Sequence, residues 1–128
     1  MIESALRAKL IEEIPELQDS IYPTNAPETA VKPYLVYARL RTEKIKTLQG
    51  ITNNEYITFM FSIMATKYSD MRTLTKRVED FLISLSKRTI GDYYIEDIDI
   101  NNVTEQYEHE LKVNRGIIDF TIYFEEVG

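Results

Sequence analysis

Between Ile57 and Ala65 every second residue is apolar: Ile57, Phe59, Phe61, Ile63 and Ala65 form one set, while Thr58, Ser62 and Thr66 stand between or beyond them. A period of two puts alternate side chains on opposite faces of an extended backbone, so the stretch Glu55 to Thr66 predicts a β-strand with one face in a core. Met60 and Met64 fall on the other face and hint that it is covered too, another subunit being one candidate cover. The pattern returns from about Lys112 to Glu125. There Ile118, Phe120, Ile122 and Phe124 share a face, and Asp119, Thr121, Tyr123 and Glu125 share the opposite one. Weaker alternation predicts strands at Tyr34 to Arg41 and at Tyr93 to Ile100, the latter followed by a polar turn around Asn101-Asn102.

Two segments carry the helical period instead. Ile2, Leu6, Leu10 and Ile14 recur at spacing four over residues 2 to 14, and Pro15 stops the helix because proline disfavours helical geometry in the residue before it. In the second, Ser69 is a candidate N-cap with Asp70 in the first turn, and Met71, Leu74, Val78, Phe81, Leu82 and Leu85 make the apolar stripe. Lys87 and Arg88 would lie at its far end, with Gly91 as the stop. A short extended piece, Ser20 to Tyr22, leads from the first helix toward the first strand. The order helix, strand, strand, helix, strand, strand predicts an α+β domain of two layers, an antiparallel sheet of about four strands with two helices packed on it.

A chain of 128 residues is sized for one domain, and none of its apolar runs approaches the ~18–20 residues of a membrane span. Its start, MIESALRAKLIEE, lacks the uninterrupted apolar core of a signal peptide. With no cysteine, disulfides and thiolate metal sites are excluded. The net charge of −6 argues against binding a phosphate backbone as the main task. That charge is uneven: from Asp92 onward there are ten acidic residues and two basic ones. A solvated acidic edge accounts for this, as does a surface that must meet or repel something charged.

Candidate chemistry is sparse. The single histidine, His109, has Val113 four residues on, where a zincin helix needs a second histidine. Asp97, Asp99, Asn101 and Glu108 occupy positions one, three, five and twelve of a calcium loop, but Asn102 replaces the turn glycine and both flanks read as strand rather than helix. Strand and turn is the better reading, and no metal site is expected. Carboxylates are plentiful, yet none is singled out as an acid–base pair by an apolar setting. The four glycines are isolated, so there is no phosphate-binding loop and no nucleophile elbow. The sequon Asn102-Val103-Thr104 matters only in a secreted protein.

Two segments remain. The stretch YPTNAPETAVKPYLVY, residues 22 to 37, holds three prolines, Pro23, Pro27 and Pro33, and leads straight into a strand. Residues Thr42 to Asn54 form a long polar connection with Gly50 and Asn53-Asn54 as turn residues, and loops of that length are usually functional or mobile. Together with the helix KYSDMRTLTKRVEDFL and the ending YEHELKVNRGIIDFTIYF, this arrangement resembles the tail-completion, or tail-terminator, proteins of long-tailed bacteriophages and prophages over nearly the whole chain. The resemblance implies a single tail-terminator-like domain over residues 1–128 and no enzyme. It implies a virion protein, assembled in the host cytoplasm, that sits at the head-proximal end of the tail. There it would cap the tail tube, end its polymerisation and join the tail to the head connector, as a hexameric ring with DNA passing through.

On that reading the partners are further copies of the chain, the tube protein and the neck protein, with no membrane and no cofactor. The proline loop (Tyr22, Pro23, Asn25, Pro27) and the long connection (Lys44, Ile45, Lys46, Leu48) are the expected interfaces. Prolines lower the entropy lost when a loop is ordered in a contact. Asp119, Glu125 and Glu126 are the expected channel-lining carboxylates, and the basic residues Arg72, Lys76, Arg77, Lys87 and Arg88 would face outward. Two alternatives stay open: a small ligand-binding or regulatory α+β module, and a carboxylate hydrolase holding calcium through Asp97, Asp99 and Glu108.

Overall fold

A computed structural model describes residues 1–17, 20–24, 26, 30, 32–47 and 50–127, with the backbone alone at 43–47 and 50–53. Its elements are α1 (Ile2–Glu13), β1 (Ile21–Pro23), β2 (Tyr34–Thr47), β3 (Gly50–Ala65), α2 (Tyr68–Ser84), β4 (Arg88–Ile90), β5 (Tyr93–Glu108) and β6 (Val113–Glu126). The strands form one six-stranded sheet in the order β1-β2-β3-β6-β5-β4. All neighbours are antiparallel except β1 and β2. The sheet is therefore larger than the expected four strands, through two three-residue strands at its outer ends.

The two strands with the strongest alternation sit side by side at the centre, with Phe59 opposite Phe120 and Ile57 opposite Ile122. Phe59 and Phe120 stack with centroids 5.6 Å apart, and Phe61 meets Phe120 edge-on at 4.8 Å. Such pairs add roughly 0.5–1.5 kcal/mol each beyond the area they bury. Both helices pack on this face. Ile2, Leu6 and Leu10 of α1, with Ile14 after it, join Leu74, Val78, Phe81 and Leu82 of α2 and Leu85 in one core. At the end of α1, Ile14 leaves helical geometry (φ −128°, ψ 77°) before Pro15, as expected.

Gly116 sets the spacing between the layers. A Cβ there would stand 2.1 Å from Thr75 Oγ1 and 3.0 Å from Met71 Sδ, so only glycine lets α2 lie this close to β6.

Several expected boundaries move. Of residues 42 to 54, expected as a connection, 42–47 and 50–54 continue the two strands as a hairpin: Glu43 pairs with Tyr56, Lys46 with Ile51 and Thr47 with Gly50. β6 stops pairing with β3 at Asn54, so the hairpin runs past the sheet as a two-stranded arm. The expected turn at Asn101-Asn102 is instead an irregularity inside β5, between Ile100 and Asn102, and the chain reverses later, at residues 109–112. Helix α2 begins one residue before Ser69, after Lys67, with no side-chain cap. It ends at Ser84, because Lys87 turns to φ 66° and its N–H bonds Ile95 O at 2.8 Å, starting β4. Lys87 and Arg88 therefore lie beyond the helix, and Gly91 (φ 55°) makes the β4–β5 turn rather than a helix stop.

Candidate functional site

Helices cover one face of the sheet, so the opposite face is where side chains meet solvent or a partner. The register gives its rows. Ala38, Met60, Asp119 and Asn102 cross β2, β3, β6 and β5 in one line; Arg41, Thr58, Thr121 and Asp99 form the next; Tyr56, Tyr123 and Asp97 follow. The middle of this surface is tied by hydroxyls and an amide. Thr58 Oγ1 and Thr121 Oγ1 are 3.0 Å apart, and Asn101 Nδ2 donates to Thr121 Oγ1 at 3.0 Å and to Asp119 Oδ1 at 3.3 Å. Tyr56 and Tyr123 pack with centroids 5.4 Å apart. Partial burial, followed by a hydrogen bond to Asp99, raises the Tyr123 pKa, because the neutral phenol is the form that donates.

At the other end of the face, Arg115 donates to Ser62 Oγ from Nε (3.1 Å) and Nη2 (2.9 Å), and to Glu108 Oε1 from Nη1 (3.1 Å). Hydrogen bonds from Gln106 and then Arg115 hold the Glu108 carboxyl below the usual range. Tyr34, Met64 and Val113 form a small second core against Tyr22, Ala26, Ala30 and Val36. Met64 is thus buried within its own chain, in a cluster that Tyr22, Ala26 and Ala30 join, while Met60 stays half-buried. A groove of about 300 Å³ runs along this contact, with Tyr34, Val36, Met64 and Leu111 as its apolar wall and Lys32 and Arg115 as its cations.

The expected interface residues separate into two places. Tyr22 and Pro23 lie in β1, with Tyr22 edge-on to Tyr34 at 6.1 Å. Lys44, Ile45 and Lys46 lie near the tip of the hairpin arm. Asn25, Pro27 and Leu48 fall outside the described residues. Of the expected channel carboxylates, Asp119 and Glu125 share the open face with Asp97 and Asp99. Glu126 falls on the opposite parity, level with Tyr93, whose pKa is raised by burial and then by this carboxylate. Arg72, Lys76 and Arg77 project from the outer side of α2, where Lys76 pairs with Asp80 at 3.1 Å and Arg77 pairs with Glu16.

The calcium-loop positions do not converge. Asp97 and Glu108 are separated by roughly 35 Å of continuous strand. Asp97 Oδ1 accepts from the Ile98 N–H at 2.9 Å, and Glu108 is engaged by Arg115. Among the described residues no group of three His, Cys, Asp or Glu side chains could hold a metal ion. His109 packs edge-on against Tyr107 at 4.9 Å in the β5–β6 turn. Among the described helices none is long and apolar enough to cross a membrane.

The described residues thus form a sheet with one face covered by helices, one polar face laid out in rows, and a projecting hairpin. The model of the family "Tail completion protein gp17" matches residues 4–125, so the chain belongs to the phage tail-completion family, a family of structural proteins. A search of curated proteins finds no match. Among solved structures the chain is similar to one from "Virion of native gene transfer agent (GTA) particle", with 12% identity and a TM-score of 0.69 over 97% of this chain and 91% of that one. At that identity the likeness concerns the fold.

Proposed function

We propose that the chain closes the head-proximal end of a phage tail. It caps the tail tube, ends its polymerisation and presents the surface that meets the head connector, as a hexameric ring in the virion. The observation that carries this reading is the family match over residues 4–125, supported by a fold shared along its length with a chain from a virion particle. The proline loop with Tyr22 and Pro23, and the arm with Lys44, Ile45 and Lys46, serve as contacts to tube and connector. The arm runs past the sheet beyond Asn54, and Tyr22 and Pro23 lie in the short edge strand β1. The open face, with Asp119 and Glu125, lines the passage for DNA. Carboxylates there repel phosphate over about 8 Å at physiological salt, which leaves a strand free to slide.

The test is a phage or prophage lacking this chain, examined by electron microscopy. Full heads lying apart from tails, and tubes of uncontrolled length, are the expected result, with both restored by supplying the protein. Joined particles with normal tails in its absence would overturn the proposal.

A further inference from the structure

The sheet ends on two long strands that are only partly covered. β1 pairs with β2 at Leu35, Val36 and Tyr37 alone, so among the described residues the outer side of β2 from Ala38 to Thr47 has no neighbouring strand. β4 pairs with β5 at Tyr93, Tyr94 and Ile95 alone, and the outer side of β5 from Asp97 to Glu108 has none either. An uncovered edge presents N–H and C=O groups that another chain can pair.

The two edges differ in sign. The β2 segment carries Arg39, Arg41, Lys44 and Lys46 with one carboxylate, Glu43, and the β5 segment carries Asp97, Asp99, Glu105 and Glu108 with no cation. Arg39 is paired with Glu3 at 2.5 Å and Glu108 with Arg115 at 3.1 Å, and with those two set aside the β2 segment is still basic and the β5 segment still acidic. Like edges of two copies therefore repel, while unlike edges attract. Both edges also expose apolar side chains that the core does not use: Leu40 on β2 (52% exposed), and Val103 (38%) and Tyr107 (47%) on β5.

Strand direction fits as well. β2, β3, β6 and β5 alternate, so β2 and β5 run antiparallel. A copy rotated about an axis along the strands brings its β2 antiparallel to the first copy's β5, and the sheet continues with the same face inward.

The geometry points to a second copy of this chain as the occupant of each edge, with β2 of one subunit pairing with β5 of the next. The contact is head-to-tail, so each subunit uses two different surfaces and the series closes into a ring when the rotation allows. This deepens the proposed ring and rests on it. It also accounts for both partial edges, since β1 and β4 cap only the parts that the neighbour leaves over.

The protein has no cysteine, which makes disulfide mapping clean. Leu40→Cys is combined in one chain with Asp99→Cys, Asn102→Cys or Val103→Cys in turn; all four positions are exposed, and a melting curve for each variant verifies the fold. Assembled protein is oxidised and run without reductant, and the same samples are imaged. At least one pairing should give a ladder of cross-linked oligomers, whereas each single cysteine stays monomeric and a mixture of two single-cysteine proteins yields heterodimers only. Rings in the images with no ladder from any pairing would overturn the edge contact and leave the ring reading standing. A ladder in open chains without rings would support the edge contact and count against the ring. Neither rings nor ladder would sink both.

Discussion

Replacing Gly116 by alanine puts a methyl group where α2 already stands. The new Cβ would lie 2.1 Å from Thr75 Oγ1, 3.1 Å from Thr75 Cβ and 3.0 Å from Met71 Sδ. Rotating Thr75 removes the first contact but not the second, so the helix has to lift from β6. Overpacking of this kind costs about 1–3 kcal/mol. Alanine returns roughly 0.4–1 kcal/mol by restricting the unfolded chain, since the backbone at Gly116 lies outside the left-handed region and suits any L residue. The net expectation for Gly116→Ala is a loss of about 1–2 kcal/mol, or roughly 4–8 °C in Tm for a domain of this size. Thermal and urea melts at one fixed protein concentration measure it, because assembly would add its own stabilisation. Thr75→Ala removes the nearest atom, so the double variant should lose about 1 kcal/mol less than the sum of the singles. If Gly116→Ala melts at or above the parent, or if the two changes are simply additive, the close approach of α2 is not what this glycine provides.

Two smaller predictions concern the open face. Glu108 has a lowered pKa in the fold, so its contribution is present above its unfolded value near 4.5 and is lost as the pH falls through the folded value. Glu108→Gln should therefore be less stable than the parent at pH 7, with the gap closing in acid; a gap that is constant down to pH 3 would refute the pairing with Arg115. Thr121→Val keeps the shape but removes the hydroxyl between Thr58 and Asn101, and should cost about 1–2 kcal/mol in urea unfolding with an unchanged m-value. A neutral result would mean that water replaces these contacts without loss.

The fold was legible wherever the two faces of an element differ. β3 and β6 announce themselves because Phe59 and Phe120 alternate with threonines and lie on the helices. The same logic explains the misses. Past Asn54 no third strand among the described residues lies beside the arm, so nothing there imprints a period of two and the sequence reads as a loop. The outer part of β5, Asn101 to Tyr107, is exposed throughout, and its alternation disappears for the same reason. The three-residue strand β4 is too short to carry a period, and a tertiary contact, Lys87 N–H to Ile95 O, ended α2 before its sequence signals did. For the candidate surfaces, the charge asymmetry between the chain's two ends was visible from composition. That the basic and acidic runs occupy opposite rims of one sheet was not, because strand order is a property of the folded topology.

The division of β3 and β6 into an inward and an outward set separates two kinds of selection on one stretch of chain. Residues 57, 59, 61 and 63, with 118, 120, 122 and 124, answer to the helices beneath them, whereas the residues between them answer to whatever the particle places on the open face. A substitution that refits an outward side chain to a changed neighbour leaves the inward packing untouched. The backbone can therefore persist through a long sequence divergence, while the surface it carries is rewritten one alternate residue at a time.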